Sequence, residues 1–173
     1  MKFKGTIGGV GRKLQLVKLT DSQAISVGDA IETYSTGYGI LATIQLPILG
    51  VVASFCDSKG MPKKQDNPVA GTASGVDVTS IASTSNDYAL VDISSSSVYS
   101  AALDATVGTT NALGVNPGCK YDGLSATPGI LDESSYSRTV GTVSQWYSWG
   151  LDPNDSTRVL VSIALSEIDS VYE

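Results

Sequence analysis

The chain has 173 residues, enough for one domain that buries a core without covalent staples. Only 16% of the residues are charged, the net charge is −6 and the pI is near 4.5. The body therefore lacks the basic face that phosphate binding needs, which argues against nucleic acid as a partner. Ser, Thr, Val and Gly are abundant while Glu, Lys, Arg and Met, good helix formers, are scarce, and this points to an all-β fold.

Charge is unevenly placed. Lys2, Lys4, Arg12, Lys13 and Lys18 put five of the eleven cations in the first eighteen residues, which hold no acid. With Gly5, Gly8, Gly9 and Gly11 among them, residues 1–12 are expected to be a flexible basic arm, and residues 13–173 a single β domain. The start leads into glycine-rich sequence instead of an apolar run, so no secretory signal is expected.

A short strand is predicted from Lys13 to Leu19. Residues Ile25 to Ile31 alternate around Gly28-Asp29, a pair suited to a bulge or tight bend. Tyr34 to Gly39 reads as a turn, Ile40 to Leu46 as a strand ended by Pro47, and Leu49 to Phe55 as a strand buried on both faces. The apolar stretch from Leu41 to Phe55 is broken by Gln45, Pro47 and Gly50, and is too short for a bilayer, which takes about 20 apolar residues. Asp57 to Asn67 is an exposed loop, and strands are expected at Val76–Ile81, Tyr88–Ile93 and Val98–Leu103. Asn116-Pro117-Gly118 is a turn signal. Last comes a hairpin: a strand from Thr139 to Trp149, a turn from Gly150 to Ser156, and a strand from Thr157 to Ser166 with Val159, Val161, Ile163 and Leu165 on one face. The spacing fits a small β-barrel or β-sandwich of roughly eight to ten short strands with an extended N-terminal arm.

Little in the chain points to catalysis. There is no histidine, which removes the commonest general base and the commonest zinc ligand. The carboxylate clusters Asp132-Glu133 and Asp152 to Asp155 match neither a calcium loop nor a pair facing across a cleft, and the second reads as turn chemistry. Cys56 and Cys119 match no metal spacing and are either bridged or two buried thiols, the thiols being favoured. Gly8 to Lys13 lacks the strand, helix and hydroxyl that a phosphate loop requires. The expectation is a protein that is not an enzyme and has no cofactor and no metal. Trp146, Tyr147 and Trp149 are candidates for core packing first, a subunit interface second and a ligand platform third.

Two groups of residues carry a family likeness. Ile25 to Ile31 followed by Leu49 to Ala53 resembles the capsid cement (head decoration) proteins of tailed bacteriophages, and Val98-Tyr99 leading to Gly108, Gly118 to Asp122, Asp132 and the closing strand Arg158 to Ile163 is similar to the C-terminal part of many phage virion auxiliary proteins. The resemblance implies a compact β body on the outside of a virion capsid. It would be made in the host cytoplasm, would form homotrimers, and would stabilise contacts between subunits of the major capsid protein without catalysis. It brings no membrane or nucleic-acid partner. The basic start lies outside that likeness. Lys2, Lys4, Arg12 and Lys13 are taken independently as capsid-contact candidates, and Trp146, Tyr147 and Trp149 as subunit-interface candidates. The alternatives are a glycan-binding β-sandwich and another phage component, a connector or minor tail protein.

Overall fold

The computed structural model describes residues 1–9, 11–43, 46–64, 78–84, 86–103, 120–121, 130–131, 136–137 and 145–164. Cys119, the turn at 116–118, Asp132, Glu133 and the expected strand residues 139–144 and 165–166 lie outside them. Within the described residues the chain is all-β, as its composition requires. Fourteen strand segments form: β1 (Lys2–Thr6), β2 (Leu14–Lys18), β3 (Ala24–Ser26), β4 (Ala30–Thr33), β5 (Gly39–Leu41), β6 (Gly50–Cys56) and β7 (Ser80–Ala82), followed by β8 (Tyr88–Asp92), β9 (Ser97–Leu103), β10 (Lys120–Tyr121), β11 (Ile130–Leu131), β12 (Tyr136–Ser137), β13 (Trp146–Asp152) and β14 (Asp155–Ile163). No helix among them is long and apolar enough to cross a membrane.

Three sheets result. One runs β1-β9-β14-β13-β10-β12, with β11 parallel to β9; a second runs β2-β8-β6-β4-β5; β3 and β7 form a two-stranded ribbon. Side-chain alternation explains how they stack. Ala30 and Val51, paired across β4 and β6, share one face of the five-stranded sheet and pack with Tyr99, Ala101, Trp146, Val159 and Val161 of the larger sheet. Ile31 and Val52, one residue on, take the opposite face and pack with Ile25 and Ile81 of the ribbon, together with Val17, Ala89 and Val91. The five-stranded sheet is thus a middle layer between two cores. Each fully buried Val, Ile or Leu there contributes about 1.5–3 kcal/mol.

The barrel alternative is not what forms: both larger sheets are open, with β1 and β12, or β2 and β5, at their ends. Strand segments are also more numerous than the eight to ten expected, because short strands form where the sequence reads as arm or loop, at residues 2–6, 120–121, 130–131 and 136–137. The start of the chain differs most from expectation. Residues 2–6 are strand β1, paired with β9 from Lys2↔Ser100 to Thr6↔Ser97, and not a loose arm.

Other local readings match. Gly28 takes φ +94° at the bend between β3 and β4, and Asp29 closes it by accepting the Ser26 N–H at 2.8 Å. Val159, Val161 and Ile163 line the buried face of β14. The hairpin turn is tighter than predicted, only Pro153-Asn154, because bulges at Trp149 and before Asp152 let β13 run on past Gly150 (φ +108°). Asn154 N–H donates to Asp152 Oδ1 at 3.0 Å and closes the turn. Of the strand expected from Ile40 to Leu46, Ile40 and Leu41 lie in β5, and residues 44–45 lie outside the described residues.

Candidate contact surfaces

The four N-terminal cations are not alike. Strand β1 lays Lys4 beside the β13–β14 turn, where its Nζ lies 2.9 Å from Asp152 Oδ2. Asp152 is buried. The Lys4 ammonium, the Ser100 hydroxyl and the Asn154 N–H together hold its carboxyl well below the usual carboxylate range. Arg12 reaches Asp92 with Nε at 2.8 Å, and its guanidinium lies over the Phe3 ring at 4.1 Å. Asp92 is fully buried and also accepts from the Ser97 hydroxyl at 2.8 Å and the Ser94 N–H at 3.2 Å. Phe3 meets Tyr99 edge to face at 6.1 Å. Burial, and next the Asp92 charge, push the Tyr99 phenol above its ordinary range and keep it neutral. Lys4 and Arg12 therefore clasp β1 and the segment after it to the body. Lys2 and Lys13 are exposed, and no described group pairs with their ammonium groups.

The three aromatics separate in the same way. Trp146 is fully buried in the core between the two larger sheets, so it contributes to packing and not to a surface. Tyr147 and Trp149 point to the opposite face of the seven-stranded sheet. Their rings meet edge to face at 4.9 Å, and the Trp149 indole N–H donates to Ser162 Oγ at 3.0 Å. Trp149 and Leu151 are both exposed. Leu14 and Leu16 on β2 are exposed as well, which sequence patterning did not single out. Their signal was present: in Leu14 to Leu19 every second residue is Leu or Lys, an apolar pair beside a buried Val17.

Two recesses are lined by described residues. One, of about 320 Å³, lies among Met1, Phe3, Arg12, Val27 and Tyr99. A smaller one, of about 190 Å³, holds Cys56, Lys63 and Asp87. Burial and then the Asp57 charge push the Cys56 thiol up, so it stays protonated and unreactive, and Lys63 is committed to Asp87 at 2.5 Å. Among the described residues no three acidic or cysteine side chains come together to hold a metal ion. Compared with protein-family models, with curated proteins and with solved structures, the chain matches none of them.

Proposed function

We infer that the chain is a structural virion protein. In this reading it binds the outer surface of a tailed-phage capsid as a homo-oligomer and stabilises contacts between major capsid protein subunits. The observation that carries the reading is that apolar side chains are exposed from both large sheets at once, Leu14 and Leu16 on one, Trp149 and Leu151 on the other. Contacts on separate faces suit a protein that touches several neighbours together, where modest interactions add through avidity. The resemblance of Ile25 to Ile31 and Leu49 to Ala53 to cement proteins points the same way. The role needs no catalytic group, no cofactor and no membrane, and a net charge of −6 speaks against nucleic acid as the partner.

Copy number tests it. Quantitative mass spectrometry of purified particles should find the chain in hundreds of copies, near a simple ratio to the major capsid protein. About a dozen copies would instead fit a connector ring, and absence from particles would end the virion reading.

A further inference from the structure

Strand β2 ends the five-stranded sheet, with β8 on one side and no strand on the other among the described residues. Its ladder to β8 is unbroken from Leu14↔Asp92 to Lys18↔Tyr88. Two bonds fix its phase: Ile93 N–H donates to the Lys13 carbonyl, and Leu19 N–H to the Asp87 carbonyl, each at 2.9 Å. Bonded residues alternate along an antiparallel pair, so Lys13, Gln15, Val17 and Leu19 face β8. The N–H and C=O groups of Leu14, Leu16 and Lys18 therefore point outward from the sheet. From the Lys18 carbonyl onward the edge closes, because Leu19 bridges Gly39 in parallel and Thr20 N–H donates to the Gly39 carbonyl at 3.0 Å.

Exposed edges are usually blunted by bulges, by charges within the strand or by brevity. This chain does so elsewhere. Edge strand β1 has a bulge between Phe3 and Gly5 and carries Lys2 and Lys4, and edge strand β5 is three residues long. Strand β2 has neither a bulge nor a charge at its centre. Instead it exposes Leu14 (49%) and Leu16 (38%), next to the half-buried Leu90 opposite Leu16. Cations flank the leucines: Lys13 before them and Lys18 after, the latter held by Tyr38 with Nζ 3.2 Å from the hydroxyl and 4.7 Å from the ring centre. The first eighteen residues contain no acid.

We propose that the β2 edge is a docking site for an extended segment of another protein, one that alternates apolar and acidic residues and adds to the sheet as a further strand. The backbone groups of Leu14 and Leu16 and the Lys18 N–H supply the ladder, the leucines receive the segment's apolar side chains, and Lys13, on the other face of the strand, meets its carboxylates. A second copy's β2 is a poor occupant, since antiparallel pairing about Leu16 sets each Lys18 opposite a Leu14 and each Lys13 opposite a Leu19, so neither cation meets a carboxylate. The site rests on the edge geometry and not on the virion reading. If both hold, the segment belongs to the capsid shell.

The probe is a capped octapeptide of alternating valine and glutamate, added to the ¹⁵N-labelled full chain, with amide hydrogen exchange read by NMR. In the free protein the amides of Leu14, Leu16 and Lys18 should exchange fast while those of Gln15 and Val17 are protected. The peptide should slow the first three by about tenfold or more and leave the other two unchanged. Leu16→Pro deletes an outward N–H that the fold does not use, and should weaken peptide binding by about tenfold with little change in Tm. Should that variant misfold, the Leu14→Lys/Leu16→Lys double variant keeps the backbone and should also lose the peptide. Slow exchange at Leu14, Leu16 and Lys18 in the free protein, or unchanged affinity in a folded variant, overturns the proposal. Wild-type occupancy of capsids by Leu16→Pro would sink this edge as the capsid contact and leave the virion reading standing. Peptide binding by a chain absent from particles would do the reverse.

Discussion

Replacing Arg12 with Met should destabilise the isolated protein, even though Arg12 sits on the surface near the chain start. The substitution keeps an unbranched apolar stem over Phe3 and removes the guanidinium that faces the buried Asp92 carboxylate. Breaking a buried ion pair from one side typically costs about 3–5 kcal/mol. Two features lower that here: Asp92 keeps the Ser97 hydroxyl and the Ser94 N–H, and the Arg12 side chain is 30% exposed, so water replaces part of what is lost. A cost of about 2 kcal/mol remains, which for a chain of this length lowers Tm by about 4–8 °C. Asp92→Asn in the Arg12→Met background should recover part of that loss, because the uncompensated charge is gone. Thermal unfolding of wild type, both single variants and the double variant measures the coupling, expected at about 1–3 kcal/mol. If Arg12→Met melts within about 1 °C of wild type, the pair does not clasp the N-terminal segment, and Arg12 is available for an external partner instead.

Other perturbations separate packing from surface. Gly50→Ala should cost about 1–3 kcal/mol, because a Cβ there overlaps the Asp92 carbonyl and comes within 2.7 Å of Val91 Cγ1; denaturant unfolding reads it, and an unchanged midpoint refutes the close approach of β6 and β8. Trp146→Ala should cost about 3–5 kcal/mol, while Trp149→Ala should stay within about 1 kcal/mol and remove the tryptophan emission that acrylamide quenches readily. Asp152 has its folded pKa depressed, chiefly by Lys4, so it adds stability that is present above the unfolded value near 3.9 and is lost as pH falls through the folded one. Melts from pH 7 to pH 2 should show this group contributing fully down to about pH 5 and progressively less below about pH 4, and Asp152→Asn should make that decline shallower; parallel curves would refute it.

Strand identity was legible wherever alternation was strong. Tyr88–Asp92, Ser97–Leu103 and the buried stripe Val159, Val161, Ile163 lie within or close to where their patterns place them, since a single register satisfies both the pleat and the core. Boundaries were less legible where glycine or proline permits two outcomes. Gly150 reads as the start of a turn, yet with a positive φ it serves equally well in a strand that continues beyond a bulge. Layering was not legible at all. Ile31 and Val52 look like members of one core with Ala30 and Val51, and only the pairing of β4 with β6 reveals that neighbours in sequence serve different cores on opposite faces.

The N-terminal segment shows most clearly why charge counts mislead. Five cations without an acid in eighteen residues read as an arm seeking an acidic partner, and the acids that Lys4 and Arg12 meet are Asp152 and Asp92, far along the chain. A sequence signal for those partners does exist. Asp92 closes the apolar run Ala89-Leu90-Val91, where an acid is costly unless a cation reaches it, and Asp152 starts a turn whose backbone it caps. A lone carboxylate at a buried strand position predicts a cationic partner somewhere, but not which one, because sheet topology chooses it. Here the pairing of β1 with β9 and of β2 with β8 makes that choice, and it sorts the cations: Lys4 and Arg12 hold β1 and the segment after it to the body, while Lys13 and Lys18 flank the β2 edge, which is open among the described residues.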